Sequence, residues 1–432
     1  MSVVVVGGSL TGLMHGVVLK RLGHNVRILE RNPASLQSQG VGISAMENVQ
    51  EFLKSHDVAN GPYFITSPHI QFINKEAKII NTWNLVIHST SWSSLYYRLR
   101  FNFDGLQSDY VPETYAPPTA SEGEATYEQG KTVIDVKYQD GSVTVVFEDK
   151  EGNTNTITAD LVIAADGPGS SIRKILQPSL QREYVGYLAW RGAVLESDVS
   201  EETKKVFDEK LTYFQTKGSH ILLYVIPGAN GTLTPGSRLL NYVWYMNHSP
   251  TDLASVLTDT AGHTHRITLP AGKMRDEIWS RQKAIAADLL PAAYSELVQK
   301  TTSPFVQAIN DVASARSSFF GLVSGESPLA SFFDGKLLFA GDALCAFRPH
   351  VARSTDQAAL DALLLEKVLK GEISIQEWEA RCMGYAKYMS AFSKFLGSRF
   401  QFGMSLATFV TGMQFGWVIL KQKLSKLWGG RR

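Results

Sequence analysis

The sequence predicts an α/β fold in which a parallel sheet with crossover helices is interleaved with a mixed sheet and followed by C-terminal helices. Two apolar runs, residues 3–6 and 161–165, have the composition of strands buried on both faces of a parallel sheet. The first run leads through a glycine-rich turn into a helix over residues 11–22, as in a βαβ unit. Residues 184–268 are rich in aromatic and β-branched side chains with little helical period, and therefore predict the second sheet.

The remaining elements follow the same periodicities. Residues 63–87 alternate loosely and predict strands of the second sheet, whereas an Asp140-Gly141 turn predicts a hairpin between two further strands. The other predicted segments are strands at 25–30, 131–138, 142–149 and 336–340, and helices at 91–100, 274–301, 356–369 and much of 371–432.

Composition excludes several classes of partner. The 432 residues carry 42 basic and 41 acidic side chains, a net charge of +1, so nothing indicates nucleic acid or another polyanion. The two cysteines, Cys345 and Cys382, show no metal-ligand or CxxC spacing, so we predict no metal site and no disulfide framework. No secretory signal is visible before the first glycine turn, and we expect a cytoplasmic protein.

The first glycine turn has the spacing of a dinucleotide site. Gly7-Gly8-Ser9-Leu-Thr-Gly12 follows a strand and opens a helix, so its backbone N–H groups and the helix dipole face a pyrophosphate. Ser9 stands where the pattern expects a second glycine. Glu30 ends the next strand, where an acid accepts hydrogen bonds from ribose hydroxyls. The alternative is a glycine turn of a βαβ unit that binds no nucleotide.

Two further glycine segments extend this prediction along the chain. Asp166-Gly167 follows the buried strand at 161–165 and precedes Ser170-Ser-Ile-Arg173, although a lone Asp-Gly is also a common turn. Gly341-Asp342 follows a predicted strand and precedes a helix that starts near Thr355. The N-terminus of that helix is suited to stabilising negative charge on a bound ring, by about 0.3–2 kcal/mol.

Together these segments resemble the class A FAD-dependent monooxygenases of the p-hydroxybenzoate hydroxylase type. The resemblance is strongest to the branch that contains 2,6-dihydroxypyridine hydroxylase and fungal indole-alkaloid monooxygenases, and it spans roughly residues 3 to 400. Beyond the three glycine segments it rests on four stretches: Gly7-Gly-Ser-Leu, Ser91-Trp92…Leu95-Tyr96, Gly186-Tyr-Leu-Ala-Trp-Arg-Gly192 and Arg348-Pro-His-Val351.

The resemblance implies a Rossmann-like FAD-binding domain interleaved with a mixed-sheet substrate domain. The predicted FAD-binding parts are residues 1–62, 88–180 and 274–370, the substrate-domain parts are 63–87 and 181–273, and a C-terminal helical region covers 371–432. It also implies FAD as cofactor, with NADPH or NADH as a transient co-substrate, and O2. The residues that it assigns to cofactor binding are Gly7, Gly8, Ser9, Gly12, Glu30, Arg31, Gly42, Arg98, Asp166, Gly167, Gly341, Asp342 and Thr355.

Two positions depart from the family pattern. Where many members have a Pro-x-x-Gly-x-Gly run, this chain has Pro349-His-Val-Ala352-Arg-Ser354. The family arginine of an Arg-x-x-Leu segment aligns with Trp92, and Arg98 is the predicted substitute for its flavin contact.

The candidate catalytic residues are Arg191 and His350. Strand alternation places Arg191 and Ala189 on one face of the aromatic sheet and Trp190 on the other. A guanidinium directed at the flavin stabilises developing oxyanion charge, and His350 could shuttle a proton. The alternatives are a structural ion pair for Arg191 and a buried structural role for His350. Tyr213, Tyr224 and Trp244 are predicted to line the substrate pocket, with ordinary core packing as the alternative.

The predicted function is therefore a flavin C4a-hydroperoxide monooxygenase that hydroxylates or epoxidises an aromatic or heteroaromatic substrate. An indole alkaloid of secondary metabolism is the sharper hypothesis, and a small phenol or hydroxypyridine is its competitor. A membrane-associated or non-catalytic FAD-binding protein is a different hypothesis, based on the apolar stretch 406–420 and the basic tail that follows it. That stretch predicts no transmembrane span, but either a packed helix or weak membrane association.

Overall fold

The computed structural model describes residues 1–34, 41–115, 121–314 and 329–429. Its strands, in chain order, are β1 (Ser2–Val6), β2 (Asn25–Glu30), β3 (Gly42–Ser44), β4 (Ile65–Ser67), β5 (Ile70–Ile73), β6 (Ile79–Trp83), β7 (Ile87–Ser91), β8 (Ala125–Gln129), β9 (Thr132–Gln139), β10 (Ser142–Glu148), β11 (Thr154–Ala159), β12 (Leu161–Ala164), β13 (Leu180–Leu195), β14 (Leu211–Thr216), β15 (Ser219–Ile226), β16 (Leu239–Asn247), β17 (Thr268–Leu269), β18 (Phe305–Ser314), β19 (Ser331–Phe332) and β20 (Leu337–Phe339).

Helices occupy most of the connections and the C-terminal part of the chain. In chain order they are α1 (Leu10–Arg21), α2 (Glu47–His56), α3 (Trp92–Asp104), α4 (Ser171–Leu176), α5 (Glu201–Phe207), α6 (Pro250–Leu257), α7 (Asp276–Leu289), α8 (Ala292–Lys300), α9 (Ser354–Leu369), α10 (Ile375–Phe402) and α11 (Leu406–Gly429).

The first sheet is the predicted parallel one. Its order is β19-β20-β12-β1-β2-β8, with every pair parallel except β19–β20. The valines of β1 are buried on both faces, as the apolar run predicted. Because parallel strands end at one edge, the turns after β1, β12 and β20 lie side by side, and these turns carry the three glycine segments.

The second sheet has eight strands in the order β17-β18-β13-β16-β15-β14-β5-β6. One face packs under α7 and α8 and includes Trp190 and Trp244. The other face includes Ala189 and Tyr245 and looks toward the loop before α9 and the end of α10. We call this second face the active-site face, for reasons given below.

These observations confirm the predicted fold class and correct several details. The segment 63–87 does not form one sheet: β5 and β6 join the large sheet, whereas β4 and β7 form a small sheet with β3. The stretch 184–268 contains two helices, α5 and α6, which begin at the capping residues Ser200 and Ser249. A third strand, β11, extends the predicted hairpin of β9 and β10.

The C-terminal region is helical as predicted. Helices α10 and α11 are joined at Gly403 and pack against each other, with Phe415 of α11 stacked on Phe392 and Phe395 of α10. Within the described residues, the structure has no helix with the length and apolar character required to cross a membrane. Arg431 and Arg432 of the basic tail lie outside the described residues.

Candidate active site

A cleft of about 670 Å3 opens where the three glycine turns meet the edge of the large sheet. Its walls come from both sheets and from the loops between them. The lining residues are Val6, Gly7, Ser9, Thr11, Leu29, Glu30, Arg31, Asn32, Val41, Trp92, Lys131, Thr132, Val133, Ala165, Asp166, Gly167, Pro168, Gly169, Ser171, Lys174, Arg182, Ile267, Thr268, Gln307 and Asp342.

The first glycine turn has no room for side chains at its glycine positions. Gly7 has a φ of 104°, a region that favours glycine. A Cβ added at Gly12 would overlap the Gly7 carbonyl oxygen, and one added at Gly8 would overlap the Tyr127 ring. Gly7 and Ser9 line the cleft, and Ser9 begins α1 without a side-chain capping bond. The N-terminus of α1 thus faces the cleft, the arrangement that binds a pyrophosphate.

At one end of the cleft, Glu30 is positioned for a ribose. The Gly8 N–H donates to Glu30 Oε2 at 2.8 Å, and the Asn32 backbone and side-chain N–H groups donate to Oε1 at 2.9 and 2.7 Å. These bonds fix a buried carboxylate at the end of β2, where ribose hydroxyls bind. Arg31 and Lys131 also line the cleft and bring positive charge to it, which suits a phosphate-bearing ligand.

At the other turns, two carboxylates carry oxygen atoms that no described residue satisfies. Asp166 accepts the Ser171 N–H at 2.7 Å through Oδ2, while its Oδ1 is buried without a partner. Asp342 Oδ1 is also buried without a partner, and burial raises the pKa of that carboxyl. Such orphaned acceptors are costly unless a ligand supplies donors, and the hydroxyls of a ribityl chain fit this requirement.

Arg173 ties the second and third glycine turns together. Its guanidinium donates to the Pro168 carbonyl at 2.6 Å and to the Ala343 carbonyl at 2.5 Å. Gly341 is held from beneath, because its N–H donates to Asp361 Oδ2 at 2.9 Å and its carbonyl accepts from Gln357 at 2.7 Å. These bonds make the cleft a rigid, preorganised site.

The structure brings most of the predicted cofactor residues to this cleft. Those that line it directly are Gly7, Ser9, Glu30, Arg31, Asp166, Gly167 and Asp342. Gly8, Gly12 and Gly341 shape the turns behind them. Thr355 lies in the first turn of α9, next to Ser354, whose side chain bonds to Asp342.

Arg98 and Gly42 lie elsewhere. Arg98 pairs with Asp57 and donates to the carbonyls of Ala59 and Gly61 at 2.6 and 3.2 Å, so it closes the end of α2 rather than the cleft. The expectation of a flavin contact by Arg98 is corrected by this placement. Gly42 packs against Tyr224, and the neighbouring Val41 lines the cleft in its stead.

Trp92 does reach the cleft, although sequence reasoning treated it only as a departure. It lies at the start of α3, lines the cleft and stacks on Tyr96 with ring centroids 4.5 Å apart. An aromatic ring therefore forms this point of the wall, at the position where the resemblance leads us to expect an arginine. Lys174 and Arg182 also line the cleft and were not predicted, because neither belongs to a motif.

Arg191 lies on the active-site face of the large sheet. The register pairs Ala189 with Gln307, which lines the cleft, and Arg191 is two residues further along the same face. Its Nε is buried and has no hydrogen-bond partner among the described residues, and no carboxylate of these residues pairs with it. The alternative of a structural ion pair is therefore not observed within the described part of the chain.

His350 belongs to a buried cluster beside Arg191, which we call the His350 cluster (Tyr187, His220, Tyr245 and His350). Tyr187 Oη and His350 Nε2 are 2.8 Å apart, and the Tyr245 ring centroid is 4.7 Å from that of His350. Burial and nearby cations hold the pKa of His350 well below its usual range, so the ring is neutral at pH 7. Its Nδ1 has no partner among the described residues.

His220 was not predicted from sequence. Its ring stacks on Tyr245 with centroids 4.6 Å apart, and the Gln401 amide contacts its Nδ1 at 2.9 Å. Burial lowers the pKa of His220 from 6.5 to about 3. The only sequence signal was its position in an apolar strand, where a histidine is equally compatible with a structural role.

The three residues that were predicted to line the substrate pocket lie on different faces of the large sheet. Tyr213 and Tyr224 lie on the active-site face, and the Tyr224 hydroxyl donates to the Gly42 carbonyl at 3.0 Å. Trp244 lies on the opposite face, because it pairs with Trp190 across β13 and β16, and its Nε1 donates to Ser219 at 2.8 Å. Its predicted place in the pocket wall is therefore wrong.

The first turn of α9 carries a charge network in place of the family's glycines. Arg353 pairs with Glu47 of α2 and with Asp356 at 3.2 Å. Asp356 is buried and also accepts from the Asn48 backbone N–H and from Tyr385, at 2.8 and 2.7 Å. Ala352 takes the left-handed conformation, with a φ of 51°, where the family pattern has glycine.

Comparison with known proteins agrees with this geometry. Two family models match parts of the chain: a pyridine nucleotide-disulphide oxidoreductase model over residues 2–79 and an FAD-binding domain-like model over residues 184–311. The chain is 27% identical to the 2,6-dihydroxypyridine 3-monooxygenase of Paenarthrobacter nicotinovorans, over 96% of this chain and 95% of that protein. It is 24% identical to the 6-hydroxynicotinate 3-monooxygenase of Pseudomonas fluorescens, over 85% and 82% of the two chains.

The fold is also similar to that of a solved structure. The 2,6-dihydroxypyridine-3-hydroxylase from Arthrobacter nicotinovorans superposes with a TM-score of 0.77 and 25% identity, covering 94% of each chain. Fold, cleft and relatives agree on FAD as the cofactor, with NAD(P)H and O2 as co-substrates. The chain is therefore an FAD-dependent monooxygenase, a flavoprotein oxidoreductase that is similar over nearly its whole length to aromatic hydroxylases of the class A type.

Proposed function

We propose that this monooxygenase inserts one oxygen atom into an electron-rich nitrogen heteroaromatic ring bound between the FAD cleft and the active-site face. The observation that carries the proposal is the unpaired Arg191 guanidinium beside a neutral, buried His350. Arg191 is half-buried and no carboxylate of the described residues pairs with it, so a bound oxyanion would balance its charge and provide an acceptor for its buried Nε.

The surroundings of Arg191 suit an aromatic ligand. Tyr224 and Tyr245 lie on the same face, and burial raises the pKa of both hydroxyls, so they remain protonated. Arg191 opposes that shift for both tyrosines, which places its positive charge close to them. The face therefore offers flat apolar contact, one fixed cation and phenolic hydroxyls, which together orient a ring bearing a single acidic N–H or O–H.

His350 is placed to hold a proton at Nδ1. If Nε2 accepts from Tyr187, Nδ1 carries the proton and donates it to a ligand; in the other tautomer Nδ1 accepts one. The direction of the Tyr187–His350 hydrogen bond therefore determines whether Nδ1 donates to the ligand or accepts from it. FAD, when bound, supplies the activation of O2, and the protein residues exclude water, orient the ring and balance its charge.

The relatives support a nitrogen heterocycle in particular. Two of them are named for 2,6-dihydroxypyridine and 6-hydroxynicotinate, both nitrogen-containing rings. We place indoles and indole alkaloids, which the sequence favoured, and hydroxypyridines in the same proposed substrate class. Hydroxylation and epoxidation both transfer one oxygen atom to such a ring.

We also propose the domain division predicted from sequence with one change: α7, α8 and β18, which fall in the predicted FAD-binding part 274–370, are assigned to the substrate domain because they pack on or belong to the large sheet. The first sheet with α1, α3 and α9 supplies the FAD-binding domain, and the large sheet with α5 to α8 supplies the substrate domain.

The test is turnover by the purified protein. NADH and NADPH oxidation is followed with and without indoles, hydroxypyridines and phenols, and products are analysed by mass. We expect bound FAD, oxidation accelerated by a nitrogen heterocycle and a product heavier by one oxygen atom. A yellow protein whose oxidation rate responds to no panel member, or only to phenols, would contradict the proposal.

Arg191→Met and Trp244→Phe form the matched pair for this assay. Both alter residues of the adjacent strands β13 and β16, the half-buried Arg191 on one face and the buried Trp244 on the other. Only Arg191→Met is expected to weaken the response to substrate strongly while FAD remains bound.

A further inference from the structure

The outer face of α11 is a stripe of exposed apolar side chains. Phe409 and Trp417 are 63% and 56% exposed. Spacings of three and four residues place the members of the stripe on one side of the helix. We call these residues the α11 stripe: Leu406, Phe409, Met413, Trp417, Leu420 and Leu424.

The inner face of α11 is fixed to the rest of the molecule. Phe415 packs between Tyr388 and Phe392 of α10, with ring centroids 5.3 and 5.1 Å away, and Gln422 donates to the Gly384 carbonyl at 3.1 Å. A helix that is apolar on both sides and packed on only one of them leaves a surface that requires a second apolar environment.

The charge of this region indicates which environment fits. Residues 403–432 contain no Asp or Glu, whereas they contain Lys421, Lys423, Lys426, Arg431 and Arg432. Lys421 and Lys423 are exposed, and the Lys421 Nζ lies 5.2 Å from the centre of the Trp417 ring. Aromatic and aliphatic side chains flanked by basic residues, with no acids, are typical of helices that lie on anionic membranes.

We propose that the α11 stripe binds the surface of an anionic lipid bilayer, with α11 lying in the plane of the interface. A second copy of the chain fits this face less well. In a parallel pair of α11 helices the basic ends would repel each other, and in either orientation neither helix offers a carboxylate to the other.

A groove lies between the start of α11 and the residues that pack on the His350 cluster. It has a volume of about 1030 Å3, and its lining includes Ile80, Tyr213, Phe400, Gln401 and Ser405. Ser405 immediately precedes α11, and Ile80 is 67% exposed at the other rim, on β6. At the inner end, Phe400 and Gln401 both contact His220 of the His350 cluster.

The groove gives the membrane contact a catalytic consequence, which rests on the proposed function. An apolar aromatic substrate dissolved in the bilayer would reach the active-site face along the groove without crossing bulk water. The substrates that benefit are heteroaromatic rings with lipophilic substituents.

The direct test is flotation of the full-length, FAD-loaded protein with lipid vesicles. Phosphatidylcholine vesicles are compared with vesicles of phosphatidylcholine and phosphatidylserine, at low and high salt. We expect binding to the phosphatidylserine vesicles that weakens with salt. The double variant Phe409→Ser/Trp417→Ser should bind at least about tenfold more weakly, because the apolar contact is lost.

Charge variants supply the matched control. Lys421→Gln/Lys423→Gln should weaken binding to phosphatidylserine vesicles, whereas Lys137→Gln/Lys150→Gln should not, although Lys137 and Lys150 are 69% and 70% exposed. Equal binding by the two lysine variants would contradict the proposal, and so would absence of binding by the unmodified chain. A dimer in sedimentation analysis that Phe409→Ser/Trp417→Ser dissociates would assign the stripe to a second copy and overturn the membrane assignment.

Turnover separates this inference from the proposed function. Phe409→Ser/Trp417→Ser should raise the apparent KM for a substrate partitioned into vesicles and leave turnover of a water-soluble panel substrate unchanged. If the unmodified protein turns over neither the vesicle-partitioned substrate nor the water-soluble one, the proposed function is refuted. The membrane assignment is not affected by that result, because vesicle binding is measured without turnover.

Discussion

The FAD cleft and the active-site face are built in different ways. The cleft is formed by backbone: Gly7 and Gly12 create the turn, and carbonyl and N–H groups around Gly341 and Arg173 hold it. The active-site face is formed by side chains from distant strands, among which Arg191 and His350 have unsatisfied nitrogen atoms.

This difference separates binding of the cofactor from recognition of the substrate. Changes in the cleft should remove FAD and everything that depends on it. Changes on the active-site face should leave FAD bound and affect only the response to substrate.

The largest effect is expected for Gly12→Ala. The new Cβ would overlap the Gly7 carbonyl oxygen, and backbone cannot move aside as a side chain can. We expect FAD binding to weaken by at least about a hundredfold, equivalent to about 3 kcal/mol. Flavin absorbance of the purified variant measures this. Gly384→Ala is the control, because nothing lies within 4 Å of its added Cβ; equal FAD content in both variants would contradict the prediction.

Arg191→Met tests the other region with an effect of similar size. Removal of the guanidinium should lower kcat/KM for the substrate by about a hundredfold, because one preorganised donor to developing negative charge is lost. FAD content should stay at the level of the unmodified protein. Loss of FAD together with activity would contradict this prediction and would show that Arg191 contributes to FAD binding.

The pH dependence of stability should reveal His220. Burial lowers its pKa from 6.5 to about 3, so its contribution to stability is complete above pH 6.5 and is lost as the pH falls toward 3. Between about pH 6.5 and about pH 4.5 the loss amounts to about 2 kcal/mol. Urea unfolding at both values should show a smaller change for His220→Asn than for the unmodified protein. An identical pH dependence would contradict the burial assigned to this ring.

A smaller and two-sided effect is expected for Asp342→Asn. The carboxylate has an unpartnered Oδ1, so an amide should weaken FAD binding by about tenfold through loss of a charge-assisted hydrogen bond. The same change should stabilise the FAD-free protein, because a buried, unpaired carboxylate is removed. Thermal unfolding with and without FAD measures both signs. A variant that is destabilised in both states would show that Asp342 is structural.

The smallest effect is expected for Trp244→Phe. It removes the 2.8 Å hydrogen bond to Ser219 on the face opposite Arg191, at a cost of about 1 kcal/mol in unfolding free energy. Turnover should remain within about twofold of the unmodified protein, because the Trp244 side chain lies on the face of the sheet that is opposite the proposed substrate site. A large loss of substrate response would contradict this placement and would indicate that Trp244 lines the substrate pocket.

The same contrast explains what the sequence could reveal. Gly7 and Gly12 were identifiable because a phosphate-binding turn imposes fixed residue types at fixed spacing, whereas Asp166 and Asp342 were identified through the resemblance of their segments to the family's motifs. Their convergence also followed from the rule that parallel strands end at one edge of a sheet.

The active-site face was only partly predictable. Alternation within β13 correctly separated Ala189 from Trp190, because it depends on neighbours in sequence. The position of Trp244 depends on its register with Trp190 across two strands, which no local pattern fixes. The flavin contact predicted for Arg98 failed for a similar reason. Its partner Asp57 follows α2, about forty residues earlier in the chain, and no local pattern indicates that ion pair.

A structure of the FAD-loaded protein with an accelerating heteroaromatic ligand would test the central claim most directly. We predict that the ligand occupies the active-site face, with its oxygen or ring nitrogen within about 3 Å of the Arg191 guanidinium. A ligand bound on the Trp244 face, or Arg191 engaged by a protein carboxylate with the ligand elsewhere, would contradict the account.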